Sequence, residues 1–384
     1  MIESTAFILD LSLLLVAAIG GGLLIKRFRY PVALGELLVG IILGPSVFNL
    51  IESPQIVSAF AELGAIILLF YIGLETEMGK LKKQLLPALF VGILGAIIPL
   101  ILSYYGALFI GLSSKEALFL SVVFTATSIG ITIRLLKDLG KLHSQIGLTV
   151  LGAGIVDDVV AVILLSVVLN ILAGGVNIGE IGIVTLKAIV FWVAMIFFGS
   201  KILSGFIEKL RIDDDYIILL LLAYCFLSAY ISATIGLSTI VGAFAAGLPF
   251  SRKNNKVKMV LNKTQSLYMF FVPIFFISIG TLIDVKIFTE STIFIGLFIT
   301  VIAFIGKIIG CFIGALLNGF SKKDSFKIGV SMTPRGEMGL IIASLGLTSG
   351  LISSQTYSLG VMVVVLTTFI AMPMLKEIFK RVKD

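Results

Sequence analysis

Two neighbouring aspartates, Asp157 and Asp158, lie near the middle of the apolar stretch "VLGAGIVDDVVAVILLSVV" at residues 150–168. A carboxylate that is kept from water holds either a proton or a cation, because its ionised form needs a compensating charge. Consecutive residues of a helix point about 100° apart. The two side chains are therefore expected to have different roles.

Three further charges lie at a similar depth in apolar sequence: Lys307 in "FIGKIIGCFIG", and Arg335 and Glu337 in "TPRGEMG". A charge at the centre of a bilayer costs roughly 2.5 to 3.5 kcal/mol on insertion scales, so the five charges should face one another or water. Two positive charges offset two of the three carboxylates. The remaining carboxylate predicts a site where a proton and a cation exclude each other, which is the chemistry of exchange.

The composition indicates which elements position these charges. Of the 384 residues, 58% are hydrophobic and 13% are charged, and the mean hydropathy is +1.15, as expected for an integral membrane protein. Two cysteines, Cys225 and Cys311, each lie in an apolar segment and suggest neither a disulfide nor a zinc site. Basic residues at membrane edges explain the net charge of +7. The positive charge therefore does not indicate a nucleic-acid partner. The lipid bilayer is the expected partner, and no cofactor is indicated.

Thirteen apolar segments predict an all-α polytopic fold with 13 transmembrane helices in a single transporter unit over residues 1–384. Lysine and arginine cluster at every second joint between segments. By the positive-inside rule this places the N-terminus outside and the C-terminus in the cytoplasm, which requires an odd number of spans. The ninth segment, "TIVGAFAAGLPF", is short and rich in glycine and alanine, and a re-entrant loop there would break the later charge alternation.

A weak internal repeat relates the two halves of the chain. "VGIILGP" at 39–45 resembles "VGAFAAGLP" at 241–249, and "LLFYIGLE" at 68–75 resembles "FFISIGTLID" at 275–284. The matched segments are seven spans apart, and an odd offset inserts the second copy upside down, as in the inverted repeats of many secondary transporters. Segments five and twelve should then correspond.

The centres of segments five and twelve are the least helix-friendly in the chain: "TATSIG" with Thr125, Thr127 and Ser128, and "TPRGEMG" with Pro334. We expect two discontinuous helices that cross at the midplane. In the alternative interpretation of "TATSIG", its small polar residues only allow close packing in a membrane bundle.

Other charged residues have simpler alternatives. Arg335 and Glu337 carry charges that can instead neutralise the ends of a broken helix, and both aspartates can in principle be no more than buried ion-pair partners. Glu36, in segment two, is a candidate for an ion path. His143 is interpreted as a solvated loop residue.

These motifs resemble those of the monovalent cation:proton antiporter-2 family, specifically its sodium/proton antiporters. The likeness rests on "TATSIGITIRLLKDLGKL", "GAGIVDDVVAVILL", Lys307 in "GKIIG" and "TPRGEMGLIIASLGL", and it extends over essentially the whole chain. It implies that Asp158 binds the ion and that Asp157 is the partner of Lys307. The family's unwound helix corresponds here to Thr125, Thr127 and Ser128. Its glutamate after "PRG" corresponds to Glu337.

The resemblance also implies a homodimer. The core transport helices would lie at about 84–173 and 291–380, the dimerisation-side helices at about 1–80 and 213–288, and a linker helix at about 181–210. Potassium-efflux relatives often have glutamine at the first acid and carry a cytoplasmic nucleotide-binding domain. Asp157 occupies that position here, which favours sodium.

The sequence therefore predicts a Na⁺/H⁺ or Li⁺/H⁺ antiporter of the plasma membrane, electrogenic and working by alternating access, rather than an enzyme. A K⁺/H⁺ antiporter or potassium-efflux unit of the same family is the alternative. An intramembrane aspartyl protease also uses two carboxylates, but its acids must approach each other to share a proton. Asp157 and Asp158 diverge on one helix instead.

Overall fold

The structure is a computed structural model that describes residues 2–28, 30–51, 53–172, 178–203, 214–250, 255–284, 286, 288 and 290–380. Helices and the turns between them make up this part of the chain, which contains no β-strand. The all-α prediction is confirmed for these residues.

Sixteen α-helices are described. A π-helical turn at Phe198–Leu203 and a 3₁₀ turn at Leu248–Phe250 extend two of them. The helices, in chain order, are α1 (Ile2–Arg27), α2 (Val32–Leu43), α3 (Pro54–Glu75), α4 (Met78–Lys83), α5 (Leu85–Phe109), α6 (Ser114–Val123), α7 (Ile129–Asp138), α8 (Gln145–Leu172), α9 (Ile178–Phe197), α10 (Asp214–Thr234), α11 (Thr239–Gly247), α12 (Asn255–Thr281), α13 (Glu290–Leu317), α14 (Lys322–Ser331), α15 (Glu337–Thr348) and α16 (Ser354–Lys380).

Nine helices in the described ranges are long and apolar enough to cross a bilayer, and three shorter apolar helices accompany them at Val32–Leu43, Thr239–Phe250 and Met338–Thr348. Large apolar side chains project outwards, among them Phe109 at 81% and Phe294 at 77% exposure. Such exposure is costly in water and favourable in lipid. The chain is thus a multi-pass membrane protein, and the number of 13 spans stays a prediction.

The chain divides into two compact units. Unit 1 comprises Met1–Gly20, Leu50–Lys82 and Ile178–Ser278, and unit 2 comprises Gly21–Asn49, Lys83–Asn177 and Ile279–Asp384. The predicted core, dimerisation-side and linker helices remain a prediction about movement and assembly.

Close main-chain packing shapes each unit. In unit 1, a methyl group at Gly64 of α3 would collide with the carbonyl of Phe271 in α12. In unit 2, the same holds for Gly310 of α13 against the carbonyl of Leu94 in α5. Small residues let membrane helices approach in this way. The tight α5–α13 contact fixes the helix that carries Lys307.

Helices α6 and α7 are separated by residues 124–128, and α14 and α15 by residues 332–336. Local geometry recurs at the two interruptions. Ser113 accepts a hydrogen bond from the Glu116 amide at the start of α6, as Ser321 does from the Asp324 amide at the start of α14. Near the end of each helix a threonine hydroxyl donates to the carbonyl three residues earlier, Thr125 at 2.7 Å and Thr333 at 2.8 Å. This likeness is what a repeat relating segments five and twelve requires.

Glu116 joins the exposed start of α6 to the start of α16. Its Oε1 accepts from the Ser353 amide at 3.1 Å and from the Thr356 hydroxyl at 2.9 Å, and Ser113 donates to its Oε2 at 3.0 Å. Partial burial alone would raise the pKa of Glu116, but the hydrogen bonds from Ser353, Thr356 and Ser113 outweigh it and lower that pKa below its usual value.

We predict that Glu116→Gln lowers the free energy of unfolding at neutral pH by roughly 1 kcal/mol, the scale of a charged hydrogen bond screened by solvent. A carboxyl with a lowered folded-state pKa stabilises above its unfolded pKa, and this contribution is lost as the pH falls through the folded value. The deficit of Glu116→Gln should therefore shrink on acidification in thermal unfolding of the purified protein.

Asp324→Asn is the matched control, because Asp324 caps α14 through its neighbours Ser321 and Lys327 and joins no second helix through them. It should cost less than Glu116→Gln. A Glu116→Gln deficit that stays constant or grows towards acid pH would contradict this account.

Candidate functional site

Helix α8 carries both aspartates of the candidate site, and both are buried. Asp157 is 0% and Asp158 is 1% exposed. Their helix spans 28 residues, Gln145–Leu172, so both lie near its middle, well away from either end. Two carboxylates in such a place need positive or polar groups close by.

Lys307 of α13 supplies the positive charge. Its Nζ donates to Asp157 Oδ1 at 2.7 Å and to the carbonyl oxygen of Thr125 at 2.6 Å. The side chains of Lys307 and Asp157 are both 0% exposed. This is a fully buried ion pair, in which removing one partner leaves the other charged and without compensation.

The second oxygen of Asp157 binds the main chain of the α6–α7 break. Its Oδ2 accepts a hydrogen bond from the Thr127 amide at 2.9 Å. Ser128, next in the chain, caps α7 by accepting from the Ile131 amide at 3.4 Å. The carboxylate therefore lies by the positive N-terminal end of α7, and Lys307 lies by the negative C-terminal end of α6.

Arg335 neutralises the same C-terminal end of α6. Its Nε and Nη2 donate to the Phe124 carbonyl at 3.0 and 2.6 Å, and Nη2 also reaches the Ala303 carbonyl at 3.1 Å. Its Nη1 donates to the Thr333 carbonyl at 3.2 Å. Of the two interpretations that the sequence left open for Arg335, these contacts match the one in which it neutralises the end of a broken helix.

The two breaks contact each other directly. The Ser128 amide donates to the Pro334 carbonyl at 3.0 Å, and the Thr127 hydroxyl donates to the Met332 carbonyl at 3.0 Å. A methyl group at Gly336 would collide with the Ser128 hydroxyl. Main-chain groups left without helical partners at each break are thus satisfied in part by the other break.

The remaining predicted residues lie as follows. Thr125 offers its carbonyl to Lys307 while its hydroxyl turns back to Val122. Glu36 lies in α2, where its partner is Arg134, and not in the cluster around Asp157. Glu337 begins α15, and its side chain lies outside the described residues.

Two residues of unit 2 were missed by the sequence reasoning. Thr368 of α16 donates its hydroxyl to the Arg335 carbonyl and accepts from the Arg335 amide at 3.0 Å, so it holds the second break. The paired threonines in "VLTTFI" were the only signal. The second is Arg134, which the sequence groups with the basic residues near a joint between apolar segments, yet which is only 9% exposed.

The sequence of this chain is similar to a family profile and to full-length relatives. The family profile described as "Sodium/hydrogen exchanger, transmembrane" matches residues 12–381. The Na(+)/H(+)-K(+) antiporter GerN of Bacillus cereus is 37% identical over 376 residues, covering 97% of this chain and 96% of GerN. A Na(+)/H(+) antiporter of Enterococcus hirae is 35% identical, covering 98% and 99% of the two chains.

Among solved structures, the sodium proton antiporter MjNhaP1 from Methanocaldococcus jannaschii matches with a TM-score of 0.74 over 98% of this chain and 97% of that one. At 18% identity this likeness shows a shared fold. The family match and the two full-length relatives go further, and with them the chain belongs to the sodium/hydrogen exchanger family, a family of membrane antiporters.

Proposed function

We propose that this antiporter exchanges Na⁺, and Li⁺, against protons at Asp158. The observation that carries the proposal is that both oxygens of Asp157 are engaged. Lys307 donates to one of them and the Thr127 amide donates to the other. Asp158 is equally buried and points about 100° away on the same helix. We assign the alternation between a proton and a cation to Asp158, because Asp157 is held through both of its oxygens.

Neutral oxygens would complete a cation site. In the part of the chain that the structure describes, no group of three or more histidine, cysteine, aspartate or glutamate side chains is arranged so that it could hold a metal ion. A hard monovalent cation held at Asp158, with Asp157 beside it, would therefore draw on main-chain carbonyls and hydroxyls. Interrupted helices supply such groups in secondary transporters, and Thr127 and Ser128 lie at the break beside Asp157.

Alternating access by a moving core is the proposed mechanism. Two interrupted helices in contact, with matching caps and threonine bonds, support an inverted repeat whose segments five and twelve cross at the midplane. The helices at about 84–173 and 291–380 would carry the ion against those at about 1–80 and 213–288, joined by the linker at about 181–210. The protein would be a homodimer in the plasma membrane, in which each protomer has 13 spans and its N-terminus outside.

Lys307 is proposed to carry a second proton. When Na⁺ draws on Asp157 as well as Asp158, the buried ammonium of Lys307 loses its counter-ion and tends to release a proton. That proton and the one from Asp158 give about two H⁺ per Na⁺. Exchange is then electrogenic and responds to membrane voltage by ~2.3 kcal/mol per charge per 100 mV.

Potassium is the alternative cation. GerN of Bacillus cereus is named for both Na⁺ and K⁺, and the preference for sodium here rests on Asp157 standing where potassium-efflux relatives often have glutamine. Purified protein in proteoliposomes with an imposed pH gradient should dissipate that gradient on addition of Na⁺ or Li⁺, and much less with K⁺. Dissipation by K⁺ alone would replace sodium with potassium in the proposal.

Asp158→Asn is predicted to abolish Na⁺-driven proton movement, because the amide cannot alternate between a proton and a cation. The variant should still fold, since an amide of the same shape replaces a buried carboxyl. Proton fluxes in proteoliposomes measure the loss, and thermal unfolding measures the fold. Glu62→Gln, at an exposed acid of α3, is the control and should transport normally. Wild-type exchange by folded Asp158→Asn would overturn the assignment.

Lys307→Gln is predicted to destabilise the protein by about 3 to 5 kcal/mol, because Asp157 keeps its charge without the ammonium. Any exchange that survives should be independent of voltage. Adding Asp157→Asn should restore most of the stability, so the double variant keeps the test open if the single variant does not fold. Currents on solid-supported membranes report the charge moved. Wild-type current per Na⁺ in either variant would show that Lys307 carries no proton.

A further inference from the structure

A second group of charges lies in unit 2 around Glu36. This residue is one turn inside α2 and is 2% exposed. Its Oε1 lies 4.0 Å from Arg134 Nη2 of α7. Within the described ranges its Oε2 is buried and has no hydrogen-bond partner. A buried carboxyl oxygen in this state is costly when it is ionised.

Arg134 is shared with a second carboxylate. Its Nε lies 3.2 Å from Oδ1 of Asp138, the last residue of α7. Asp138 also accepts hydrogen bonds from the amides of Val32 and Ala33. These amides form the first turn of α2, which has no side-chain cap of its own at Pro31. The end of one helix therefore caps the start of the other.

The two carboxylates of this cluster, Asp138 and Glu36, have unequal numbers of stabilising contacts. One guanidinium serves two carboxylates, and Asp138 has the shorter contact to it as well as the N-terminal end of α2. Within the described ranges, Glu36 has the longer contact to Arg134, at 4.0 Å, and its Oε2 has no hydrogen-bond partner. Of the two carboxylates, Glu36 is therefore the one whose ionised form has less support.

The other helices that pack against α2 bring no further charged side chain to Glu36 among the described residues. Gly21 of α1 lies against the Gly35 carbonyl of α2, and Gly280, near the end of α12, lies against the Leu37 carbonyl of α2. Lys26 and Arg27, at the end of α1, are exposed. Lys376 of α16 reaches the carbonyl of Phe28 at 3.0 Å and the ring of Tyr30. Among the residues that the structure describes, the charges that act on Glu36 are those of Arg134 and Asp138.

We propose that Glu36 is a further proton-binding site, distinct from the transport site at Asp158 and Lys307, whose ionised form holds α7 to α2 through Arg134. Helix α7 connects this cluster to the transport site. Its first turn follows Thr127 and Ser128, beside Asp157, and its last residue is Asp138. Ten helical residues rise about 15 Å. A proton gained or lost at Glu36 therefore changes how firmly the half-helix beside the ion site is held.

The consequence for transport rests on the proposed exchange at Asp158. At alkaline pH Glu36 is ionised, and the added attraction to Arg134 restrains α7 and slows turnover. At acid pH the proton neutralises Glu36, and this restraint is released. The site regulates exchange and is not itself emptied by Na⁺.

Glu36→Gln has the shape of the protonated side chain. It tests both proton binding at Glu36 and the effect of that proton on exchange. Infrared difference spectra between acid and alkaline pH should lose one protonated-carboxyl signal in Glu36→Gln and keep it in the control, Glu62→Gln. The same spectra in an Asp158→Asn background do not need transport, so they separate this proposal from the one on Asp158. Glu36→Asp retains a titrating carboxyl and should retain a signal, which keeps the test valid if Glu36→Gln folds poorly.

In proteoliposomes, Glu36→Gln should match the wild type at acid pH and exceed its exchange rate at alkaline pH by roughly threefold, the size expected for a screened ion pair. Adding Na⁺ to Asp158→Asn at fixed pH should leave the Glu36 signal in place. The proposal is overturned if the carboxyl signal persists in Glu36→Gln, if Na⁺ removes it, or if the two pH profiles of exchange coincide.

Discussion

The contact between Lys307 and Asp157 is the constraint on which the rest of unit 2 depends. The Lys307 ammonium and the Asp157 carboxylate lie 2.7 Å apart and are both fully buried. Such a pair is tolerated in an apolar interior only when its remaining donors and acceptors are also hydrogen-bonded. The Thr125 carbonyl and the Thr127 amide complete the pair. Both groups are free to do so because the helix is interrupted there, so the buried pair and the break depend on each other.

The second break repeats this solution with a different cation. Arg335 places its guanidinium on the Phe124 carbonyl at the end of α6, while its own main chain is held by Thr368. Two cations therefore face the C-terminal end of one half-helix, and one carboxylate faces the start of the next. Close packing of α5 on α13 through Gly310 keeps Lys307 at this depth. In this arrangement both oxygens of Asp157 are engaged, which is why the proposed exchange is assigned to Asp158.

Depth and spacing in the sequence were enough to predict that Asp157, Asp158 and Lys307 are buried together with other charges, because charges in long apolar stretches are rare and costly. The chain alone also indicated where helices are interrupted, since "TATSIG" and "TPRGEMG" are poor helix formers. It left open whether Arg335 meets a carboxylate or a helix end, because that depends on which carbonyls the fold brings within reach.

The Glu36 cluster could not be predicted from spacing. Arg134 and Asp138 are four residues apart on α7 and look like a surface pair, and only tertiary packing brings α2 against them. In the same way, the hydroxyl of Thr368 gained its role from a contact 33 residues away in the chain. Local patterns specify helices and buried charges, whereas the choice of partner among buried groups is made by packing.

Competition between Na⁺ and protons at one carboxylate is the central claim, and binding without turnover tests it most directly. Calorimetric titration of the purified protein with Na⁺ over a range of pH should show an apparent Kd that rises as the pH falls, with protons released on binding. In folded Asp158→Asn the binding should be lost. Sodium affinity that is independent of pH, or binding that persists in Asp158→Asn with the same proton release, would contradict exchange at Asp158.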